Sequence, residues 1–457
     1  MATAARIGEG VLDYVGAVRQ FSRNARLYMV HIAGMDMIHG TWEVLFNLYL
    51  LALFTPTHGV SLFGYHVHAI EFVGLRLAVG AVASGVASIP AGLLSDRIGR
   101  KASFIIGDGL GALVALQNIL TPDPYLLLCT PIVSSIAGGL HHVSETAFMA
   151  ENSEQRERVH LFSVGRSLST LVAMVGSLIA ATHPQLVAWV GDNLAAYRLA
   201  TLAGIGLWFL SLIPALMLRE QRPAGAGLPG PAGPGPAADE SKRVRIGLGS
   251  IRHPALVAKL VATGALSTVG FSAALPFLNV FYHEHLHAEE AEIGTTFAAI
   301  SGFVALGALL APFVASRFGK VQGVVAARAL SVPFVLALAF SPEGASDMAI
   351  GLSLVGLLVA TRAVLTTLAA PIAEAFAMEV LDPSERATMV GIEAAAASLL
   401  RAGASLLGSS WMAGGDFRSP FVLTAGCYLA STALFWLFFR GVERRPEPEL
   451  RPVGSAI

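Results

Sequence analysis

Four polar side chains recur at intervals of three or four residues along one apolar stretch: Asp36, His39, Glu43 and Asn47. In a helix this spacing places them on one face. Ionisable groups inside a membrane-spanning helix are costly and mark pathways for solutes or protons. Counted from Arg26 at about 1.5 Å per residue, Asp36 lies ~15 Å deep, near the centre of an apolar layer of about 30 Å. We predict that Asp36 binds and releases a proton with His39 as its partner, and that Glu43 lies on the same pathway, nearer the outer surface. The alternative for each is a structural hydrogen bond to another helix.

A second polar set, His141, His142 and Glu145, interrupts a later apolar stretch. His141 precedes Glu145 by four residues, so we expect these two side chains to face each other. Imidazole and carboxylate groups also bind divalent metals, but one helix supplies too few ligands. The set therefore has two possible roles: lining a pathway, or forming a metal site together with Asp36 and His39.

Two arginines, Arg362 and Arg401, lie in the middle of apolar stretches near the end of the chain. An arginine stays charged at any depth, so each needs a carboxylate, a carbonyl group or an anionic solute. The acids on the same stretches, Glu374 and Glu393, lie toward one end. We predict that both arginines contact the solute, with buried ion pairing as the alternative.

The segment from Tyr282 to Glu290 contains three alternating histidines: His283, His285 and His287. Such a run could capture a divalent cation or respond to low pH, and the alternative is a set of solvated side chains. The sequence contains no nucleotide-binding loop, nucleophile elbow or HExxH motif. We therefore expect no cofactor and no enzymatic activity.

The composition requires these residues to lie within a membrane. The chain has 457 residues, of which 54% are hydrophobic and 13% charged, whereas soluble domains contain roughly 25% charged residues. Continuous apolar runs of about 20 residues predict transmembrane helices. The net charge of −1 favours no nucleic-acid partner, so the expected partners are the lipid bilayer, a small molecule or ion, and protons. The predicted spans are 27–54, 69–94, 102–120, 125–150, 159–182, 195–218, 254–282, 292–316, 321–341, 347–378, 387–411 and 419–440.

The predicted spans divide into two groups of six. A segment rich in glycine and proline, 219–253, separates a first bundle, 27–218, from a second bundle, 254–440, and the remaining parts are an N-terminal segment, 1–26, and a tail, 441–457. Positively charged residues cluster after every second span and in the linker. By the positive-inside rule, both termini and the linker are expected in the cytoplasm, and the protein in the cytoplasmic membrane.

The turn between the second and third spans reads Gly92-Leu-Leu-Ser-Asp-Arg-Ile-Gly-Arg-Lys101. It resembles the signature loop between helices 2 and 3 of the major facilitator superfamily, Gly-x-Leu-Ser/Ala-Asp-Arg-x-Gly-Arg-Arg/Lys. The resemblance implies an all-α polytopic fold of about twelve transmembrane helices in two pseudo-symmetric six-helix bundles, with the first and fourth helices lining the cavity. It also implies a latch that closes the cytoplasmic side while the outside is open, in which Gly92 allows close helix packing. The latch residues are Gly92, Asp96, Arg97, Gly99 and Arg100.

Two short echoes support a duplicated chain. Ala147-Phe-Met-Ala-Glu151 recurs as Ala375-Phe-Ala-Met-Glu379, and Arg97-Ile-Gly-Arg100 recurs as Arg317-Phe-Gly-Lys320. Both lie at the cytoplasmic ends of spans that would superpose in a two-half transporter, whose solute path runs between the halves. We therefore predict a monomeric secondary active transporter that works by alternating access and is coupled to protons. The alternatives are a divalent metal transporter that uses Asp36, His39, His141 and His142, and a non-transporting membrane receptor or assembly factor.

Overall fold

The fold was determined from a computed structural model that describes residues 21–55, 59–152, 158–219, 251–308, 314, 317–348 and 351–442. Residues 1–20 of the predicted N-terminal segment, 220–250 of the predicted linker and 443–457 of the predicted tail lie outside the described residues. The boundaries predicted for these three segments therefore stay predictions.

Twelve long helices account for most of the described residues, and each overlaps one predicted span. They are α1 Arg23–Phe54, α2 Ala69–Ile98, α3 Arg100–Leu120, α4 Pro124–Glu151, α5 Arg158–Ala180, α6 Asn193–Leu216, α7 Pro254–Ala274, α8 Glu290–Ala308, α9 Lys320–Ala339, α10 Gly351–Val380, α11 Pro383–Ala413 and α12 Arg418–Phe439. In the described ranges, 11 helical stretches are long and apolar enough to cross a membrane, and α8 is the helix outside that set. The predicted all-α polytopic fold is confirmed.

Smaller elements connect the long helices on one side. A short antiparallel hairpin pairs β1, Val60–Leu62, with β2, Tyr65–Val67, between α1 and α2. A short helix, His183–Val190, lies between α5 and α6. After α7 the chain continues through turns of 3-10, α and π geometry as far as His285. The histidine-rich segment is therefore partly a helical extension of α7.

The ends of the long helices lie on two opposite faces of the protein, and hydrogen bonds connect neighbouring ends. Asn24 at the start of α1 donates from Nδ2 to Asn152 Oδ1 and to the Arg219 carbonyl oxygen, both at 2.7 Å. These contacts place the beginning of α1 beside the ends of α4 and α6. We call this side the terminal face, because α1 begins and α12 ends there, and the opposite side the distal face.

The apolar cores show where the two halves join. Toward the distal face, one large cluster contains buried residues of both halves, including Tyr49 and Phe281. Toward the terminal face, the described residues form two separate clusters, one around Phe104 in the first half and one around Phe376 in the second. The halves are therefore joined at the distal face and separate toward the terminal face.

A break after α7 supplies hydrogen bonds between the halves. Pro276 has no backbone N–H, and the Ser272 carbonyl oxygen, four residues earlier, accepts from Ser405 Oγ at 3.3 Å instead. At the break, Asn47 Nδ2 of α1 donates to the Pro276 carbonyl oxygen and to Asn279 Oδ1, both at 3.0 Å. Asn279 Nδ2 donates in turn to the Val44 carbonyl oxygen at 2.9 Å.

A second distal contact involves the first residue of α8. The Tyr197 hydroxyl of α6 donates to Glu290 Oε1, and His183 Nδ1 lies 3.7 Å from Glu290 Oε2. The ring centroids of His183 and Tyr197 are 4.0 Å apart. Glu290 therefore connects the second half to two residues of the first.

The halves repeat one local structure at the terminal face. Gly99 links α2 to α3 with φ 90° and ψ 161°, and Gly319 precedes α9 with φ 82° and ψ 166°. Positive φ values of this kind favour glycine. Arg100 Nε lies 3.6 Å from Glu151 Oε1, and Lys320 Nζ pairs with Glu379 at the equivalent place. The two sequence echoes thus meet in one ion pair in each half.

Close helix contacts are repeated as well. An ideal Cβ added to Gly176 of α5 would lie 2.1 Å from the Met37 carbonyl oxygen of α1. One added to Gly408 of α11 would lie 1.9 Å from the Ala273 carbonyl oxygen of α7. Contact between a first and a fifth helix in each half therefore depends on a glycine.

We expect Gly176→Ala to lower stability by about 1–3 kcal/mol, because an added methyl group must push α1 and α5 apart. Gly206→Ala on α6 is the matched control, since nothing lies within 4 Å of its added Cβ, and alanine favours a helix over glycine by up to about 1 kcal/mol. Thermal unfolding of the purified variants in detergent measures both. Equal melting temperatures for the two variants would contradict the packing argument.

Candidate functional site

A large cavity of about 580 Å³ lies between the halves. Most of its lining comes from α1, α2, α3, α4 and α6, with Pro276 from the break after α7 and Arg401 from α11. Among the residues predicted from sequence, those on its lining are His39, Glu43, His141, His142 and Arg401. Functional groups of both halves therefore line the cavity.

A smaller cavity of about 300 Å³ lies in the second half. Its polar lining includes Arg328 of α9, Thr366 of α10 and Tyr428 of α12, together with Ser267 of α7. Arg401 lines both cavities. This arginine therefore lies where the two cavities meet.

Asp36 and His39 form the contact that their spacing suggested. Asp36 Oδ1 lies 2.9 Å from His39 Nδ1, and their side chains are 9% and 57% exposed. Asp36 is thus buried, while the His39 ring faces the large cavity. A proton can pass between the cavity and the carboxylate through this ring. The proposed roles of both residues stay predictions.

A second carboxylate, Asp108 of α3, lies between two histidines. His31 Nε2 of α1 is 2.9 Å from Asp108 Oδ2, and His141 Nδ1 of α4 is 2.9 Å from Asp108 Oδ1. The exposed fractions of His31, Asp108 and His141 are 0%, 2% and 4%. Asp108 and His141 nevertheless contribute to the cavity lining. The group therefore combines burial with one edge on the solute pathway.

The hydrogen-bond partners indicate which atoms of this group carry a hydrogen. His31 Nδ1 lies 2.8 Å from the Ser211 carbonyl oxygen, which only accepts, so Nδ1 must carry a hydrogen. The contact between His31 Nε2 and Asp108 Oδ2 then needs a further hydrogen, either on the ring or on the carboxyl group. His141 can remain neutral, because Nδ1 donates to Asp108 and Nε2 lies 3.4 Å from the Tyr28 hydroxyl. The His31–Asp108 pair therefore holds one exchangeable proton.

The expected contact between His141 and Glu145 is wrong. His142 Nδ1 lies 3.7 Å from Glu145 Oε2, with the two side chains 74% and 28% exposed, whereas His141 faces Asp108. Both histidines are within one helical turn of Glu145, so helical spacing could not separate them. The neighbouring helix α3 decides which histidine contacts Glu145, because Asp108 is a buried hydrogen-bond partner for His141.

Histidines and acids approach each other closely enough for a metal in three places within the described ranges. These groups are His31, Asp108 and His141; His141, His142 and Glu145; and His253, Asp382 and Glu385. The potential ligand atoms within each group lie within 4.8 Å of one another.

The third group stabilises a helix start. Glu385 accepts a hydrogen bond from the His253 backbone N–H at 2.6 Å and a second from the N–H of Arg252. Burial raises the pKa of the Glu385 carboxyl, but these two amides and the His253 ring hold it below its usual range. An ionised Glu385 thus satisfies free N–H groups at the beginning of α7.

The three alternating histidines do not converge on one point. His285 Nε2 lies 3.1 Å from the Ser341 carbonyl oxygen, and its ring stacks on Phe281. His283 lies near Glu284 at 3.9 Å, and His287 lies near Glu343 at the same distance. The structure therefore gives His283, His285 and His287 three separate partners.

The signature loop lies against the first half. Arg100 Nη1 donates to Ser95 Oγ at 2.9 Å, and Ser95 Oγ lies 2.7 Å from Ser144 Oγ of α4. Arg97 is exposed, and the side chain of Asp96 lies outside the described part. The close packing expected at Gly92 is wrong here, because an added Cβ would lie 3.8 Å from Val143, an ordinary contact distance. The latch role stays a prediction.

Arg362 does not line either cavity in this conformation. It is 7% exposed, and its Nε and Nη1 atoms have no hydrogen-bond partner among the described residues. Its guanidinium group interacts with Tyr428, which does line the smaller cavity. Contact with solute would require rearrangement near Tyr428.

Sequence analysis missed four ionisable residues of the interior: His31, Arg76, Asp108 and Arg328. Each interrupts a predicted span, which is the signal that could have revealed them. Arg76 of α2 lines the large cavity. Its guanidinium carbon lies 4.8 Å from the Phe46 ring centroid, and Nη1 donates to Thr130 Oγ1 at 3.1 Å.

Comparisons of sequence place these features in a family. The family model described as Major Facilitator Superfamily matches residues 40–368 and 264–456. The multidrug resistance protein MdtH of Photorhabdus laumondii is 27% identical over 158 residues. That match covers 30% of this chain and 39% of the relative, so the chain spans about two fifths of the relative's length.

Solved structures share the fold over nearly the whole chain. A D-xylose–proton symporter has a TM-score of 0.66 at 15% identity, with 91% of this chain and 97% of that chain covered. A bacterial homologue of the human lysosomal transporter Spinster, inward-facing and occupied, has a TM-score of 0.66 at 16% identity, with 92% and 98% covered. The nucleoside transporter NupG has a TM-score of 0.63 at 14% identity, with 91% and 99% covered. At these identities the likeness shows the fold alone.

We expect a cysteine at position 39 to react with a small charged methanethiosulfonate reagent many-fold faster than one at position 45. His39→Cys would face the large cavity, whereas Leu45→Cys on the same helix would replace a side chain that is 0% exposed. Both variants are made with Cys129→Ser and Cys427→Ser, which remove the natural thiols. Equal labelling rates would contradict a water-accessible cavity beside α1.

Proposed function

Because the chain belongs to the major facilitator superfamily, a family of multi-pass membrane transporters, we propose that it couples a small solute to protons by alternating access. The protein is a transporter and not an enzyme. The solute would bind in the large cavity between the halves, whose volume of about 580 Å³ suits a small molecule. The cavity and its charged groups come from a single chain, which supports a monomer as the working unit.

The contact of His31 with Asp108 is the observation that carries the proposal, because its geometry requires a hydrogen between the two groups. If that proton leaves, two lone pairs face each other at the 2.9 Å separation of Nε2 and Oδ2. The uncompensated negative charge would also lie inside an apolar bundle. Proton release therefore favours a different arrangement of α1 against α3, and solute binding can select between the two arrangements.

Asp36 and His39 extend this site toward water. Asp36 Oδ1 contacts His39, and the exposed His39 ring lines the cavity. We assign to Asp36 a coupling role in which protons enter or leave through His39, with Glu43 as a further acid on the lining. His142 and Glu145 form the corresponding pair on α4.

The terminal face would be the cytoplasmic face, with both termini in the cytoplasm and the protein in the cytoplasmic membrane. Positive charges are concentrated there, as the positive-inside rule requires. The described cations at this face are Arg23, Arg26, Arg97, Arg100, Lys101, Arg219, Arg252, Arg317, Lys320, Arg386 and Arg440. Since the halves separate toward this face, the described conformation would be open to the cytoplasm.

We expect Asp108→Asn and Asp36→Asn each to abolish accumulation driven by a pH gradient while solute exchange continues. An amide cannot carry the exchangeable proton, but it preserves the side-chain shape. Proteoliposomes are assayed with a radiolabelled solute identified by thermal-shift screening, which detects ligands because binding raises the melting temperature.

Asp347→Asn, at an exposed aspartate of the distal face, is the matched control and should leave accumulation unchanged. Proton-driven uptake that persists in both interior variants would refute the coupling assignment.

Divalent metal transport is the second candidate, and the clustering of His141 with two sets of possible ligands favours it. Proton coupling predicts that calorimetry with Fe²⁺, Mn²⁺, Co²⁺ and Zn²⁺ shows no saturable binding that depends on these residues. Saturable binding that is lost in both His39→Ala and His141→Ala would instead establish the metal as the cargo.

A further inference from the structure

Three arginines lie at or beside the smaller cavity of the second half. Arg328 of α9 and Arg401 of α11 line the smaller cavity, and Arg362 of α10 lies behind Tyr428. The cavity wall between them is otherwise neutral and rich in hydroxyl groups, contributed by Ser267, Thr268, Ser272, Thr366 and Tyr428. The first half contributes histidines, carboxylates and a single arginine, Arg76, to the lining of the larger cavity.

None of the three arginines forms an ion pair within 4.0 Å in the part of the chain that the structure describes. Arg328 Nη1 lies 3.4 Å from Ser431 Oγ, and its guanidinium carbon is 5.8 Å from the Phe435 ring centroid. Glu393 is the acid that influences Arg328, and it acts at longer range. Each partner of Arg328 at contact distance is therefore neutral.

Arg362 and Arg401 have different environments, but neither has an acid at contact distance among the described residues. Arg362 is buried, and its Nε and Nη1 atoms have no hydrogen-bond partner among the described residues. Arg401 is exposed to the two cavities that it joins. An arginine cannot discharge by losing its proton, and the described protein residues provide these charges with no acid at contact distance.

We propose that the smaller cavity binds the negative group of the solute, so that the transported molecule is a small organic anion held by Arg328 and Arg401. The guanidinium fork matches the oxygen atoms of a carboxylate or a phosphate, and the surrounding hydroxyl groups can donate further hydrogen bonds. The remainder of the solute would extend into the larger cavity past Arg401. This inference rests on the proposed transport function and names its class of substrate.

The proposal also assigns a role to the proton site, which is to offset the charge of the solute. An anion that crosses an apolar layer carries charge against the membrane potential. A proton carried by the His31–Asp108 pair would offset one negative charge of the solute during the same cycle. The separation of the two sites between the halves allows each to be tested without the other.

The test is binding of matched probes to the purified full-length protein in detergent, followed by thermal unfolding. Succinate and glycerol 3-phosphate are the anionic probes, and succinamide and glycerol are their uncharged counterparts. We expect an anionic probe to raise the melting temperature and the uncharged probes to have no effect. The better of the two anions identifies whether carboxylate or phosphate is the recognised group.

Variants at the arginines locate the binding. Arg328→Gln and Arg401→Gln should each weaken the apparent affinity for the better anion by roughly tenfold to a hundredfold. Arg401→Lys keeps the charge but lacks the fork, so an intermediate affinity is expected. Arg26→Gln, at an exposed arginine of α1, is the matched control and should bind as the wild type does.

The proposal is overturned if neither anion stabilises the wild type at tens of millimolar, or if the glutamine variants bind as tightly as the wild type. These measurements use no proton gradient. Failure of anion binding would therefore leave proton-driven transport intact, and loss of coupling in Asp108→Asn would leave anion binding intact.

Discussion

The contact of one buried carboxylate with two histidines connects four helices of the first half. Asp108 of α3 accepts from His141 of α4 and shares a proton with His31 of α1, and His31 donates to the Ser211 carbonyl oxygen of α6. In an apolar interior such a network is stable only when each member has its partner. Under the proposed coupling, the position of α1 relative to its neighbours would therefore depend on a proton.

The two halves share one architecture but differ in their ionisable residues. Equivalent glycines, Gly99 and Gly319, begin α3 and α9, and equivalent ion pairs connect these helices to the ends of α4 and α10. Glycine contacts join α1 to α5 and α7 to α11. In the proposed cycle, each half would move as a rigid body around a central site. The His31–Asp108–His141 group lies in the first half, and Arg328, Arg362 and Arg401 lie in the second.

Closure at the distal face holds the described conformation. Asn47 and Asn279 exchange hydrogen bonds with the facing backbone, and Glu290 reaches Tyr197 across the same boundary. These hydrogen bonds accompany the large apolar cluster that both halves share at the distal face, whereas the terminal-face cores of the two halves are separate. An alternating cycle would break the distal hydrogen bonds and bring the signature loop into contact with the other half.

The amino-acid sequence by itself determined the all-α polytopic fold, the family and the repeat, because long apolar runs have only helical solutions in lipid and the signature loop is a local string of residues. It also placed Asp36, His39 and Glu43 on one face of a helix, since helical spacing is a local property, and their roles stay predictions. Tertiary structure alone decided that His141 faces Asp108 and His142 faces Glu145, and that Arg401, but not Arg362, lines the cavities. Those outcomes depend on which neighbouring helix offers a buried partner, and the spacing of residues along one helix contains no record of its neighbours.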